Sequence, residues 1–517
     1  GDVLMTVATK ILMGSGAVAE PYEIEQSLIF DDGGVASMVR TPSSTGNRKT
    51  WTLSVWLKRV DFALGSPNGY QMIYGGQAAH ESTIRTVDNK LSITGWTGSA
   101  TEFSWYSTRE LRDPSAWYHL VVAFDSTQGT NTNRIKVYIN GVQETPTTVT
   151  WPEQNLDTQM NLVNVNQFIG RYHNPAYSYN GYMAEFNWLD GTVAAASDFG
   201  ETNENTGQWI PKEYSGSYGT NGFYLKFVSG AIGTDSSGEG NNYAVTNISN
   251  DYILPDTPTN NFCTVNQLVN TISSSGAGGG NTIAAGNLYV AGQSDNNGLT
   301  GTMSLPRSGK WYWEVRLNAT ANTSRAMMFG IAPTTDEMGG NLNNMFALGS
   351  HNGYLYGPDS EDWGPSYGSG DVMGVAVDMD NGAIYFSKNN TWANSGDPTS
   401  GSSKTGAAGT TMLSSGDTWV PVMKLHWRDV AGNFYMNFGQ SSSFIAAGSA
   451  QNNADSNGVG DFYYTPPSGY VALCTANLPD PAIPLPAAQF NTVLHEGTGA
   501  TQTVTGVGFQ PDFVWVK

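Results

Sequence analysis

Along most of this chain, apolar residues alternate with small or polar ones at every second position, the period of a half-buried strand. The pattern is clearest in Gly370 to Asn390, GDVMGVAVDMDNGAIYFSKNN. There Val372, Gly374, Ala376 and Asp378 interleave with Met373, Val375 and Val377. Asp380-Asn381-Gly382 is expected to supply positive-φ positions for a tight reversal, and Ala383-Ile384-Tyr385-Phe386 to return as a second strand. The same alternation runs through Trp51 to Arg59, Leu91 to Ile93, Trp117 to Asp125, Arg134 to Ile139, Phe168 to Arg171 and Tyr182 to Trp188. Asn140-Gly141 follows one of these runs as a type I′ hairpin signal. Helical periods are nearly absent, so an all-β fold is expected.

Breaks in the pattern divide the chain. Residues 1–26 lack periodicity and read as an N-terminal docking arm, with apolar content in Val3, Leu4, Met5, Ile11, Leu12 and Met13. Strand signals fill 27–228. Residues 229–259 are rich in Gly, Ser, Asn, Asp and Pro and read as a linker with one strand, Tyr243 to Ile248. A second strand-rich block covers 260–475, with a Ser/Gly-rich loop at Ser273 to Gly280 expected to be mobile. Residues 476–489 form a Pro-rich spacer, and 490–517 show fresh alternation that stops on Phe513-Val514-Trp515-Val516-Lys517. This last block is expected to open a further β domain, with the natural chain continuing.

Two blocks carry family likenesses. "GKWYWEV", "FGIA", "GDVMGVAVDMDNGAIYFSKNN" and "WVPVM", in this order between Asn260 and Cys474, resemble the SPRY family of β-sandwich recognition domains. That resemblance implies binding through loops and no catalytic machinery. "WTLSVWLK", "WYHLVVAFD", "IKVYINGV", "FIGR" and "YNGYMAEFNWLDG", between Ser27 and Val228, resemble a laminin-G or concanavalin-A-like jelly roll. Such sandwiches serve lectins, adhesins, glycosidases and structural modules alike, so this likeness gives a fold and not a function. The expectation is two jelly-roll sandwiches in tandem. "KILMGSGAVAEPYEIEQSL" at the start and "FNTVLHEGTGATQTVTGVGFQPDFVWVK" at the end resemble structural proteins of tailed bacteriophages, particularly marine ones, in which such modules are strung into tail fibres and virion appendages.

Composition narrows the partners. At 517 residues the chain exceeds one core. A net charge of −20 argues against nucleic acid, whose phosphates need clustered cations, and against anionic membrane surfaces. No apolar run reaches the ~20 residues of a membrane span. Ala17-Val18-Ala19 mimics a signal-peptidase site, but Ile11 to Gly16 is too short and glycine-broken to be its apolar core. The two cysteines, Cys263 and Cys474, are expected as separate buried thiols, with a bridge between the ends of the second block as the alternative.

Catalytic patterns are missing. Retaining glycosidases need two carboxylates ~5–5.5 Å apart. The matching strand holds only Glu185 and Asp190, whose spacing puts them on opposite faces of a regular strand. Asp378 to Gly382 falls short of a calcium loop, because Gly382 comes one position early and Asn389 stands where a bidentate Glu belongs. A structural calcium ion held by rim oxygens stays open without an assigned ligand set; no other cofactor is expected. The six histidines do not stand at zinc spacing, and His119 reads as structural.

Aromatic loops remain. Sugars stack on Trp and Tyr faces while carboxylates and amides accept their hydroxyls. His351 to Tyr367 offers Tyr354, Tyr356, Asp359, Asp362, Trp363 and Tyr367. In the first block, Trp96, Trp105 and Tyr106 form one group, and Tyr172, His173 and Tyr177 another. The competing reading is that these rings pack under their own loops or against another subunit. The sequence thus favours a non-enzymatic virion protein, a phage tail fibre or appendage recognising host-surface glycans. It would be assembled in the host cytoplasm, act outside the cell as an oligomer with a trimer favoured, and join other virion proteins through its arm. An architectural spacer or capsid decoration is the alternative, and a polysaccharide-degrading enzyme is the least favoured.

Overall fold

The computed structural model describes residues 22–31, 36–65, 69–77, 79–172, 175–204, 206–269, 282–291, 298–318, 326–334, 344–350, 353–358, 361–411, 416–426, 433–479, 483, 488–493, 497 and 499–516. Residues 1–21 of the docking arm and the loop Ser273 to Gly280 lie outside them, whereas the end of the arm, Tyr22 to Gln26, is described and Ile24 is buried. Among the described residues there is no α-helix, only strands and short 3-10 turns. The chain is all-β, as its alternation predicts.

Two eight-stranded sheets face each other in the first module. One, the interface sheet, runs in the order Val142–Gln143, Ile135–Ile139, Trp117–Asp125, Thr50–Arg59, Gly181–Asp190, Ser27–Phe30 and Ile253–Leu254, with Phe223–Leu225 branching from Gly181–Asp190. The other, the open sheet, runs Pro146–Thr150, Thr101–Glu110, Lys90–Trp96, Glu81–Val87, Tyr70–Gln77, Asn166–Ile169, Ser37–Arg40 and Ala244–Thr246. Alternate residues of both enter one core, in which Trp51 stacks on Phe124 at 4.8 Å and on Trp188 at 5.0 Å. Asn140 and Gly141 take φ of 49° and 76°, the expected type I′ hairpin.

The segment read as a linker is instead woven into this sandwich. Ala244–Thr246 pairs with Ser37–Arg40 at the edge of the open sheet, and Ile253–Leu254 pairs with Ser27–Phe30 in the interface sheet. Its Gly, Ser and Asn content reflects turns between these short strands, where Asp235 accepts the backbone N–H groups of Tyr224, Ser237 and Asn241.

In the second module an eight-stranded sheet centred on Lys310–Leu317 and Val372–Asp378 packs on a six-stranded one centred on Trp419–His426 and Ala326–Pro333. The reversal after Asp378 is a longer turn than Asp380-Asn381-Gly382 suggests. Of those three residues only Gly382 has a positive φ, at 69°, while Asp378 accepts the Asn381 backbone N–H at 3.0 Å. Phe262 bridges to Cys474, so the ends of the module meet, yet both cysteines are free and buried. Burial pushes the Cys263 and Cys474 thiols up to about 11 and about 12, which keeps them inert. Fully buried Glu314 accepts from the Tyr463 and Tyr464 backbone N–H groups, Asn437 Nδ2 and the Tyr312 hydroxyl, and burial raises its carboxyl to about 7. Among the described residues beyond 489 there is no strand, and Phe513 and Trp515 are exposed.

The two modules share a core. Trp56, Trp117, Tyr182 and Ala184 on the outer side of the interface sheet pack with Ala285, Leu288 and Ile445 of the second module. Beside them Lys58 and Asp256 form an ion pair at 2.8 Å, both side chains fully buried. Lys58 also donates to Asn261 Oδ1 and to the Phe262 carbonyl, Trp117 Nε1 donates to Asp256, and Asn261 Nδ2 donates to the Ser115 carbonyl. The second module reaches this contact through two runs of left-handed backbone, Ala285-Gly286-Asn287 and Phe444-Ile445-Ala446, with φ between 49° and 67°. Outside glycine such backbone costs roughly 1–2 kcal/mol per residue. Serine side chains hold the second run: Ser441 Oγ accepts the Ile445 N–H at 3.0 Å.

Candidate functional site

The open sheet turns one face to the core through Ile73, Tyr74, Ile84, Leu91, Ile93, Phe103 and Trp105. Because side chains alternate, the residues between them stand on the opposite face. Register then lays them out in rows roughly 7 Å apart. The middle row is Phe168, Gly75, Thr83, Thr94 and Ser104, each directly opposite the next on neighbouring strands. On one side of it lies Gln77, Glu81 and Trp96; on the other, Met72, Arg85, Ser92 and Tyr106. Beyond that come Tyr70, Val87 and Lys90.

Height differs across these rows. Thr83, Ser92, Thr94 and Ser104 are buried, and Ser92 and Thr94 share a hydroxyl hydrogen bond at 2.9 Å. Trp96, Tyr106, Arg85 and Tyr70 keep exposed area, 38% for Trp96. A hydroxyl floor therefore lies between taller aromatic and charged side chains. The segment after Asn166–Ile169 adds to one flank. Tyr172 hydrogen-bonds Glu81 and meets Tyr177 edge-on at 5.5 Å, Tyr177 meets Tyr70 at 5.7 Å, and the Arg85 guanidinium lies 5.1 Å from the Tyr70 ring centroid.

The structure thus brings Trp96, Tyr106, Tyr172 and Tyr177 to one face of one sheet. Trp105 does not join them. It is 1% exposed in the core, because its odd position beside Tyr106 turns it to the other side. His173 lies outside the described residues. The sequence reading missed Tyr70, Arg85 and the Thr/Ser floor; their signal is the polar half of each strand's alternation.

The aromatic loop of the second module disperses. Tyr367 is buried, donating its hydroxyl to the Leu348 carbonyl at 2.8 Å, and Trp363 packs edge-on to Phe386 at 6.1 Å. Tyr367 therefore holds up its own sandwich, while Trp363 packs against that core and keeps part of its area exposed. Tyr354 and Tyr356 stay half-exposed on Tyr354–Tyr356, 5.0 Å apart, with Tyr356 resting on Met328, Met345 and Val422. Asp359 and the side chain of Asp362 lie outside the described residues.

Glu185 and Asp190 do not converge. A bulge between Ala184 and Asn187 sets Glu185 at φ 51° on the outer side, where both its carboxylate oxygens meet the Tyr224 hydroxyl. That hydroxyl is 2.9 Å from the one of Tyr22. Burial raises the Glu185 carboxyl. Asp190 points the other way and accepts backbone N–H groups of Asn47 and Asn221. Among the described residues no group of His, Cys, Asp and Glu is placed to hold a metal ion.

Comparison with known proteins agrees with the two folds. Residues 32–197 match the concanavalin A-like lectin/glucanases superfamily, residues 310–404 match the SPRY domain, and residues 485–517 match a domain of unknown function, DUF7483. The chain therefore carries a concanavalin A-like domain followed by a SPRY domain. Similar solved structures include the SPRY domain of human HERC1 (14% identity, 29% of this chain and 87% of that one, TM-score 0.24). A human SPRY domain gives 15%, 29%, 89% and 0.22 on the same measures. A heptameric SAP-like pentraxin from Limulus polyphemus gives 13%, 34%, 80% and 0.25. No curated protein matches.

Proposed function

We propose that this chain is a non-enzymatic virion structural protein, a phage tail fibre or appendage, that holds a host-surface glycan on the open sheet of its first module. The observation that carries this reading is the convergence of Trp96, Tyr106, Tyr172 and Tyr177 around the Thr83–Thr94–Ser104 floor. Rings give apolar platforms for sugar faces, and hydroxyls both donate and accept. The face crosses many strands, so it suits an extended oligosaccharide better than a single sugar. The virion assignment rests on the resemblance of both terminal segments to tailed-phage proteins. A shallow open face binds weakly, and several copies acting together would make it useful, which favours a homo-oligomer, a trimer first, joined to other virion proteins through residues 1–26.

The burial of Tyr367 and the packing of Trp363 against the same core favour a second reading for the SPRY module, that of an architectural spacer. A glycan array with the full chain tests the proposal. Retention that Trp96→Ala abolishes supports it. A stable trimer retaining no glycan favours the architectural reading. Turnover of a polysaccharide lost in Glu185→Gln would make the protein an enzyme and overturn both.

A further inference from the structure

Among the described residues most cations of this acidic chain have a partner. Arg59 donates to the Leu111 carbonyl and Asn89, Arg134 to the Pro152 carbonyl, Lys388 pairs with Asp371, and Arg109 with Glu144. Two cations on the glycan face differ. Arg85 makes no hydrogen bond or ion pair with the described residues. The Tyr70 ring lies over its guanidinium, and its Nε is enclosed without an acceptor. Lys90, one row further along, likewise has no acceptor or carboxylate within bonding distance among the described residues. The carboxylates nearest in register are engaged elsewhere: Glu81 by the Tyr172 hydroxyl, and Glu110 by Arg112 at 3.4 Å.

The Arg85 side chain keeps exposed area, so the outer nitrogens of its guanidinium, unlike the enclosed Nε, are open to donate to a ligand oxygen. A guanidinium stacked on an aromatic ring has its orientation fixed, and its donor edge matches two oxygens of one carboxylate or sulfate. With a net charge of −20, long-range attraction does not gather anions here, so the preference must come from this local pair. We infer that the open face selects an anionic oligosaccharide, its carboxylate or sulfate seated on Arg85 and Lys90 and its neighbouring sugars on Tyr106 and the Thr/Ser floor. This rests on the glycan-binding reading above and adds the charge class of the ligand.

Calorimetric titration of the full chain with an oligogalacturonate, with its carboxyl-reduced uncharged counterpart, and with a sulfated oligosaccharide of similar length tests it. At least tenfold tighter binding of an anionic probe than of the uncharged one is expected, and Arg85→Gln should remove that margin. Preference for the carboxylate or for the sulfate names the source of the charge. The reduced probe keeps the test valid even where Arg85→Gln folds poorly, since it needs no variant. Equal binding of charged and uncharged probes, both lost in Trp96→Ala, overturns the anionic selection and leaves the glycan reading standing. Failure of every probe to bind at millimolar concentration overturns both.

Discussion

Trp209 Nε1 donates to His119 Nδ1 at 2.9 Å, and His119 Nε2 lies 2.9 Å from Ser54 Oγ. Since Nδ1 accepts, the ring carries its proton on Nε2, which donates to the serine. The imidazole is stacked on Trp56 at 4.6 Å and fully enclosed, so burial pushes its pKa down to about 3.

The sign of the resulting pH dependence follows directly. The unfolded chain takes up a proton on this histidine below its ordinary value near 6.5, and the folded chain refuses it. Stability tied to His119 is therefore complete above pH 6.5 and is lost as pH falls towards 3, by on the order of 1.4 kcal/mol per pH unit. Denaturant melts of wild type and His119→Gln between pH 7 and 4.5 check this, the variant having the shallower slope. Equal slopes would sink the assignment.

Lys58, paired with Asp256, ties the modules together from within by donating to Asn261 Oδ1 and the Phe262 carbonyl. Removing one partner strands a buried charge, which costs about 3–5 kcal/mol. Asp256→Asn is expected to lower the melting temperature and to split one calorimetric transition into two, one per module. Lys58→Met should do the same. A variant that still melts in a single step at the wild-type temperature would contradict the clamp.

Ala446, exposed at φ 65°, and Ile445, buried at φ 52°, separate strain from packing. Ala446→Gly relieves the backbone without losing a contact and should stabilise by roughly 1 kcal/mol. Ile445→Ala keeps the strain, empties its place between the modules and should cost about 2–4 kcal/mol. Chemical denaturation of both gives the comparison, and the two changes should have opposite signs.

Trp96 and Trp105 sit on neighbouring strands with opposite faces. Trp96→Ala is expected to alter stability by less than about 0.5 kcal/mol while removing glycan retention, whereas Trp105→Ala should cost about 3–5 kcal/mol. Reversal of these effects would mean the wrong face has been assigned.

Both sandwiches were legible because strand alternation is a local signal, and Trp51 to Arg59 or Gly370 to Asn390 carries it unaided. Register is not local. Trp96, Tyr106 and Tyr172 come from three segments, and which of their neighbours turn inward depends on pairings the sequence does not state. Trp105 and Tyr106, grouped by adjacency, part for that reason. The linker reading of 229–259 held only for its strand at Tyr243 to Ile248, present as Ala244–Thr246: the two-residue Ile253–Leu254 is too short to show a period, and the glycines around it resemble those of a flexible tether. Residues such as Ile445 in left-handed backbone defy local preference altogether and are imposed by packing across the modules.

That weaving of 229–259 into both sheets has a mechanical side. Tension pulling the second module away from the first would not extend a slack leash. It would have to shear Ile253–Leu254 and Ala244–Thr246 from their neighbours and drag Lys58 out of its pocket. The pair thus behaves as a stiff strut, so that a load taken at one end arrives at the other with its direction kept.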